Sequence, residues 1–291
     1  MKDALSGAAL VVLYTALISS ADGITKLLAG GYAAPQLYAL SGGLVAVCCL
    51  VTARGHSLAT TCPGAMALRS AATVLAALCF FNAFRLLPFA EVFPFIGLMP
   101  LLAGLMSGPV LGEHVRPASW AALGLGFAGV LCLFPQGLSG AGAGHLWALA
   151  AAVTGTSSMI LARLVGRVEN NPLALVYYPN LALCLTMGVA LPFVWRPMPT
   201  ADFGWVAGYA LVLFLARWVL VIALRRLVAY AVTPLMNLQF VWMLAIGWLA
   251  FGEMPSPAML LGALVVIGSG LYLLWDQVQP QEPSLRLRTD P

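Results

Sequence analysis

Charged side chains are scarce in this chain, and their scarcity excludes most soluble folds. Only 8% of the 291 residues are Asp, Glu, Lys or Arg, whereas 62% are hydrophobic. A soluble domain carries about 25% charged residues, so a surface this poor in charge suits lipid better than water. We therefore expect an integral membrane protein whose outer face contacts the bilayer.

Sequence patterns that bind nucleotides or metals are also lacking. The chain has no GxxxxGK[ST] loop, no HExxH and no GxSxG. Its three histidines are isolated, and its six cysteines show no metal-binding spacing. We therefore expect no metal, no cofactor and no enzymatic activity. The net charge of +4 says little about nucleic acid in such a chain, and none is expected as a partner.

Long apolar segments fill most of the sequence. A helix needs about 20 mostly apolar residues to cross the hydrocarbon core, and turn residues separate ten such segments. The first segment has no small-residue cleavage pattern, so we expect it to be a span rather than a signal peptide. The predicted spans are Ala4–Ala29, Pro35–Ala53, Ala67–Leu87, Glu91–Leu111, Pro117–Phe134, Leu146–Val165, Pro172–Val194, Phe203–Leu224, Tyr230–Phe251 and Pro257–Trp275.

Basic residues are distributed unevenly between alternate connections. If the N-terminus is cytoplasmic, ten lysines and arginines lie in cytoplasmic segments and three lie on the other side. Arg217 falls within a span, which completes the 14 basic residues. Cytoplasmic segments of membrane proteins carry the excess of Lys and Arg. Both termini are therefore predicted to be cytoplasmic, and we expect a bacterial inner-membrane location.

The second half of the sequence repeats the first. An offset of 137 aligns the first two helices of each half, including Lys26 with Arg163. An offset of 140 aligns Arg85 with Arg225, Pro94 with Pro234, Gly112 with Gly252, Glu113 with Glu253 and Pro117 with Pro257. Five helices is an odd number, so tandem copies insert with opposite orientation. The sequence predicts an all-α membrane protein with ten transmembrane helices as two inverted five-helix repeats, residues 1–137 and 138–277, followed by a polar cytoplasmic tail, 278–291.

Short motifs in a fixed order carry a family resemblance. They are Asp22–Lys26 with Pro35-Gln36, Leu87–Glu91, Leu111–Glu113, and Gly126–Val130 with Pro135. The chain resembles the EamA branch of the drug/metabolite transporter superfamily over essentially its whole length. The resemblance implies a central cavity lined by the first four helices of each repeat, and a small-molecule substrate. Relatives often carry a basic residue in the second helix near Ser41, and this chain does not.

Two charged residues inside spans interrupt the repeat. Asp22 aligns with Met159, and Arg217 aligns with Ala77. Ionisable groups within a span usually face a cavity or a partner. Asp22 either pairs with Lys26, four residues later on the same helix face, or binds a cationic group or a proton. Arg217 either contacts a carbonyl group or Asp22, extends to the lipid headgroups, or holds a substrate carboxylate or phosphate through two parallel bonds.

Further polar and aromatic residues complete the predicted site. The predicted substrate-binding residues are Arg217, Asp22, Asn237, Gln239, Trp242, Tyr38, Tyr178 and Asn82. Glu91 either exploits the helix dipole at the start of the fourth helix or takes part in proton coupling with Asp22. Glu113 and Glu253 occupy equivalent short loops and are interpreted as structural.

Three functions compete at this point. The repeat and the resemblance favour a secondary transporter, an exporter or exchanger of a small polar or amphipathic metabolite such as an amino acid. An intramembrane enzyme lacks a catalytic motif in this sequence. A non-transporting receptor or scaffold would need a soluble interaction domain, and the polar tail that follows Trp275 is too short to form one. A monomer and a homodimer are both compatible with the sequence.

Overall fold

Helices account for the regular structure throughout the part of the chain that the computed structural model describes. It describes residues 2–55, 57–112, 142–169, 171–226 and 238–254, with short pieces at 120–121, 124, 235–236 and between 256 and 268. Within these ranges the helices are α1 (Lys2–Ala29), α2 (Ala34–Ala53), α3 (Pro63–Leu86), α4 (Phe89–Leu111), α5 (Ala143–Gly166), α6 (Pro172–Val194), α7 (Thr200–Arg226) and α8 (Gln239–Phe251). Seven of them, α1 to α7, are long and apolar enough to cross a membrane.

The helix ends agree with most of the predicted spans. α6 covers the predicted residues, and α2 begins one residue earlier than predicted. α3 begins at Pro63 rather than Ala67, because proline fits the first turn of a helix, where its missing N–H is not needed. The ninth span, predicted from Tyr230, contains α8 (Gln239–Phe251), and its residues 230–234 and 237 lie outside the described residues. The fifth and tenth spans lie mostly outside the described residues, so the count of ten helices remains a prediction.

Packing joins each half of the chain to the other. The principal contacts are α3 with α5, α1 with α7, α2 with α6, α4 with α5, α3 with α6, α1 with α8 and α2 with α7. Phe93 of α4 stacks on Phe240 of α8, with ring centroids 3.9 Å apart. Large apolar side chains such as Val189 and Phe193 remain exposed on the outside. The interior therefore lies between the halves, and the outer faces suit lipid.

Connections at both ends of the bundle are tied together by hydrogen bonds. At one end, Gln36 Nε2 donates to the carbonyl of Arg196 (2.7 Å), and the N–H of Arg196 donates to Gln36 Oε1 (3.0 Å). At the other end, the N–H of Thr61 donates to Glu169 Oε2 (3.0 Å), and Asn171 Nδ2 donates to the carbonyl of Ser57 (3.1 Å). These bonds fix the helix ends that surround the interior.

Acid is expected to weaken the connection at Glu169. The Thr61 N–H bond lowers the pKa of Glu169 below its ordinary value of 4.5. A lowered pKa adds stability that is complete above the ordinary value and is lost as the pH falls through the value in the folded protein. The apparent melting temperature of detergent-solubilised protein should therefore drop as the pH falls from about 6 to about 3. Glu169→Gln should lower it at neutral pH and flatten the acid slope. An unchanged acid slope in Glu169→Gln would show that other groups dominate.

A cavity between the two halves

A cavity of about 250 Å³ lies inside the helix bundle. Three of its described lining residues are charged: Asp22, Arg69 and Arg217. The polar neutral residues are Tyr14, Thr25, Tyr38, Thr73, Ser158, Tyr209 and Gln239. The remaining wall is apolar and includes Ile18, Ala76, Ala77, Phe80, Phe84, Ile96, Met99, Met159 and Leu213. The cavity therefore combines an apolar, partly aromatic wall with convergent polar groups, as small-molecule sites do.

The lining positions recur at the two offsets of the sequence repeat. Positions 69, 73, 77 and 80 of α3 line the cavity, and so do 209, 213, 217 and 220 of α7, which follow them at the offset of 140. Positions 18, 22 and 25 of α1 have counterparts at 155, 159 and 162 of α5, at the offset of 137. Spacings of three and four place each set on one helix face. Equivalent faces of the two halves thus form the cavity, but their charges differ.

Asp22 is held from across the bundle. Gln239 Nε2 of α8 donates to Asp22 Oδ2 (2.9 Å), and Ser19 Oγ donates to the carbonyl of Gln239 (3.2 Å). The alternative that Asp22 pairs with Lys26 is wrong in this structure. Lys26 instead forms an ion pair with Glu253. Asp22 therefore uses Oδ2 for the Gln239 bond and still lines the cavity.

Lys26 prefers Glu253 because a wider set of contacts is available there. Its ammonium group lies 5.7 Å from the ring centroid of Phe89 and 5.2 Å from that of Phe251. The N–H of Phe89, at the start of α4, also donates to Glu253 Oε2 (3.1 Å). An exposed pair four residues apart on one helix stabilises by only about 0.2–0.5 kcal/mol. Glu253 thus joins α1, α4 and the end of α8, which agrees with its interpretation as structural.

Arg217 lies on α7 and lines the cavity, nine residues before the helix ends at Arg226. Within the described ranges Lys26 forms an ion pair with Glu253, and Glu91 Oε2 lies 3.8 Å from His145 Nε2. Arg217 takes part in neither contact. Three tyrosines, Tyr14, Tyr38 and Tyr209, line the same cavity. Of the alternatives for Arg217, the structure favours a side chain directed to the cavity over a pair with Asp22.

Arg69 is the charged lining residue that sequence reasoning missed. The predicted third span begins close to it, which places it with the cytoplasmic basic residues. α3 begins at Pro63, six residues before Arg69, so Arg69 is inside the helix. Its Nη1 donates to the carbonyl of Leu175, and its buried Nε has no hydrogen-bond partner in the described structure. The repeat offers a signal, because Arg69 aligns with Tyr209 and so interrupts the symmetry as Arg217 does.

Two hydroxyl groups adjoin Arg69. Thr73 Oγ1 and Ser158 Oγ lie 2.6 Å apart, and both residues line the cavity. Ser158 is not among the residues that the sequence analysis selects for the site. Its place on the cavity wall adds a polar contact that the sequence does not indicate.

Of the predicted site residues, the structure brings Asp22, Tyr38, Arg217 and Gln239 to this cavity, and their role in binding stays a prediction. Others lie elsewhere. Asn82 donates to the carbonyl of Leu78 (2.8 Å) in its own helix.

Tyr178 packs against the small cluster around Met66. Trp242 is 39% exposed on α8. Glu91 Oε2 lies 3.8 Å from His145 Nε2 in the first turn of α4. Asn237 lies outside the described residues.

Comparison with known proteins gives a consistent family. The sequence matches the EamA-like transporter family over residues 5–134 and 142–275. It is 30% identical over 178 residues to a riboflavin transporter of Rhizobium johnstonii, covering 58% of this chain and 56% of that protein. It is 26% identical over 176 residues to a riboflavin transporter of Vibrio cholerae, covering 60% and 58%. Each match spans less than two thirds of the relative's length.

A solved crystal structure shows the same fold. It superposes with a TM-score of 0.74, covering 96% of this chain and 100% of the other. The two sequences are 21% identical, so the likeness concerns the fold alone.

Proposed function

This chain belongs to the EamA-like transporter family, and we propose that it is a secondary transporter that moves a small amphipathic metabolite by alternating access. It is an integral, multi-pass membrane protein. The observation that carries the proposal is the cavity between the two halves, with Asp22, Arg69 and Arg217 on its wall. Charged groups inside a membrane are costly, and they typically mark a path for a solute or an ion.

Two inverted repeats would give this cavity its mechanism. In the predicted repeat, helices α1, α2, α3 and α4 correspond to α5, α6, α7 and α8. When each helix is replaced by its counterpart, the α3–α5 contact becomes α7–α1, α4–α5 becomes α8–α1, and α3–α6 becomes α7–α2, and all of these contacts are present. The α2–α6 contact is converted into itself. The recurrence of lining positions at the two offsets also supports two equivalent halves. A site between two inverted repeats opens to either side of the membrane when the halves exchange conformations, which supports transport without a nucleotide.

A flat, ring-containing metabolite is the cargo we favour. Both curated relatives are named riboflavin transporters. Phe80 and Phe84 stack with centroids 5.9 Å apart along the apolar wall. The Gln239 amide and Asp22 offer hydrogen bonds to the polar edge of such a ring.

An amino acid is the second candidate. Asp22 and Arg217 line one cavity without pairing with each other. An amino-acid zwitterion presents its ammonium group to Asp22 and its carboxylate to Arg217. This candidate therefore uses the same cavity with different contacts.

Flux through purified protein in liposomes tests the proposal. Radiolabelled riboflavin and a panel of amino acids would be followed in counterflow, in which internal unlabelled solute drives uptake of label. We expect saturable uptake of at least one solute and none in protein-free liposomes. Absence of saturable flux for every solute of a broad metabolite panel would overturn the assignment.

The orientation in the membrane can be measured directly. The bias of ten basic residues against three predicts that both termini face the cytoplasm. A reporter fused after Pro291 should be active only if it is of the cytoplasmic kind. Activity of a periplasmic reporter at that position would reverse the orientation.

Asp22→Asn is expected to change which solutes are carried. The amide keeps the size of the side chain and its contact with Gln239, but it removes the negative charge. Transport of a zwitterionic or cationic solute should fall by about tenfold or more, and the pH dependence should flatten if Asp22 carries the proton. Asp202→Asn, near the start of α7 and outside the cavity lining, is the matched control. Equal flux and an equal pH profile in Asp22→Asn would remove Asp22 from the transport path.

A further inference from the structure

The charges on the described part of the cavity wall do not balance. Arg69 and Arg217 contribute two positive charges there, and Asp22 contributes one negative charge. Neither arginine forms an ion pair with a described residue. Asp22 instead accepts a hydrogen bond from Gln239. The cavity therefore presents more positive charge than its described wall compensates.

Both arginines lie towards the same end of the bundle. Arg69 is six residues from the start of α3, and Arg217 is nine residues from the end of α7. Both side chains line the same cavity of about 250 Å³. Like charges repel strongly when little water separates them. An anion between them would remove this repulsion.

The surroundings of Arg69 suit an anion as well. One of its N–H groups is used by the carbonyl of Leu175, and its planar fork holds further donors. The hydroxyls of Thr73 and Ser158 line the same stretch of wall, where they donate to the backbone carbonyl of Arg69 (3.0 and 3.4 Å) and so fix the helix position that carries the guanidinium group. Guanidinium groups bind carboxylates and phosphates through short, charge-assisted hydrogen bonds.

We propose that the cavity takes an aromatic organic anion whose carboxylate or phosphate group lies between Arg69 and Arg217. The ring of this anion then lies against the apolar wall formed by Phe80, Phe84 and Met99. A neutral compound with the same ring packs against this wall but leaves both guanidinium groups without a counter-charge. The inference rests on the proposed transport function and narrows its substrate to one charge class.

Matched pairs of ligands test the charge requirement in the wild-type protein. Riboflavin and riboflavin 5′-phosphate share a ring system and differ by the phosphate group. Phenylacetamide and phenylacetate differ by a carboxylate. Binding of each would be measured by thermal stabilisation of the full-length protein in detergent, since a ligand that binds only the folded form raises its stability. We expect the anion of at least one pair to bind about tenfold or more tightly than its neutral partner.

Substitutions then locate the effect. Arg69→Gln and Arg217→Gln should each reduce the advantage of the anion by about tenfold, whereas Arg69→Lys should retain part of it. Arg85→Gln is the control, because Arg85 is exposed on the same helix as Arg69 and is not part of the cavity wall. Arg69→Gln leaves the Leu175 carbonyl unpaired, so folding of each variant would be checked by gel filtration. The wild-type comparison does not depend on any variant.

The outcomes separate this inference from the transport proposal. Saturable flux of riboflavin or another neutral solute, with no preference for either anion, would overturn the inference and leave transport intact. An anion advantage that survives both arginine substitutions would also overturn it. The inference would also be overturned if none of three anions binds: riboflavin 5′-phosphate, phenylacetate and inorganic phosphate. An anion advantage lost in both variants, together with anion flux in liposomes, supports both proposals.

Discussion

Arg217→Ala is expected to abolish transport while the protein still folds and enters the membrane. Arg217 lines the cavity and forms no ion pair with a described residue, so its removal leaves no described carboxylate unpaired. What is lost is the planar fork that holds an anionic group of the cargo. A hydrogen bond to a charged group contributes about 1.5–3 kcal/mol, and two such bonds account for a loss of about 100-fold or more in uptake at low solute concentration.

A lysine substitution distinguishes two-bond binding of the cargo by Arg217 from simple charge attraction. Arg217→Lys should recover little, because an ammonium group cannot form two parallel bonds to one carboxylate or phosphate. Arg85→Ala, at an exposed position near the end of α3, should transport at the wild-type rate. Counterflow in liposomes measures all three variants at matched protein content. Wild-type uptake by a well-folded Arg217→Ala protein would defeat the assignment.

Sequence alone locates most of the described spans and two of the three charged lining residues. Asp22 and Arg217 are found because charge inside an apolar span is rare and because each interrupts the repeat. Arg69 is missed because the predicted third span begins four residues too late, at Ala67 instead of Pro63. A basic residue near a span end is assigned to the cytoplasmic surface by the same rule that predicts the orientation. The rule concerns the average charge of connections and does not say where one side chain points.

The facing direction of neutral residues is beyond the sequence for a different reason. A helix surrounded partly by lipid and partly by other helices is apolar on all sides, so it has no polar stripe that identifies the solvent side. Asn82, Tyr178 and Trp242 can therefore be selected only by type and not by face. The structure supplies that information: the cavity-lining positions recur at offsets of 137 and 140, and they include Thr73 and Tyr209 but not Tyr178 or Trp242.

Contacts between distant segments are the least predictable part. Lys26 and Glu253 are 227 residues apart, and only the packing of α1 against α8 brings them together. A nearer partner for Lys26, Asp22, stands at the spacing typical of a helix pair. The aromatic rings of Phe89 and Phe251 and the helix start at Phe89 decide the outcome. These contacts come from different elements, so they are not visible as a local pattern.

The close approach of α2 to α6 at Gly42 should make this position intolerant of even a small change. A Cβ added there would lie 2.7 Å from the carbonyl oxygen of Asn180 and 3.0 Å from the backbone nitrogen of Cys184, both on α6. Backbone atoms of a packed helix cannot rotate away, so the two helices must separate. We expect Gly42→Ala to destabilise the protein by about 1–3 kcal/mol, the usual cost of overpacking.

Neighbouring glycines provide the controls for Gly42→Ala. At Gly43 an added Cβ meets one side-chain atom, Cys184 Sγ, at 3.3 Å, and at Gly188 it meets nothing within 4 Å. Alanine is the better helix former by about 1 kcal/mol, so Gly188→Ala should be neutral or stabilising. Gly43→Ala should fall between the two. Thermal unfolding in detergent measures the order, and a Gly42→Ala protein as stable as Gly188→Ala would contradict the close contact.

The same variant bears on the proposed mechanism. In the proposed mechanism the two halves exchange conformations, which maps the α2–α6 contact onto itself, so we expect both states to keep it. Gly42→Ala should therefore lower the stability of both states together. Uptake per folded molecule should then stay close to that of the wild type, while the yield of folded protein falls. A variant that folds well but transports slowly would show instead that α2 and α6 move against each other during the cycle.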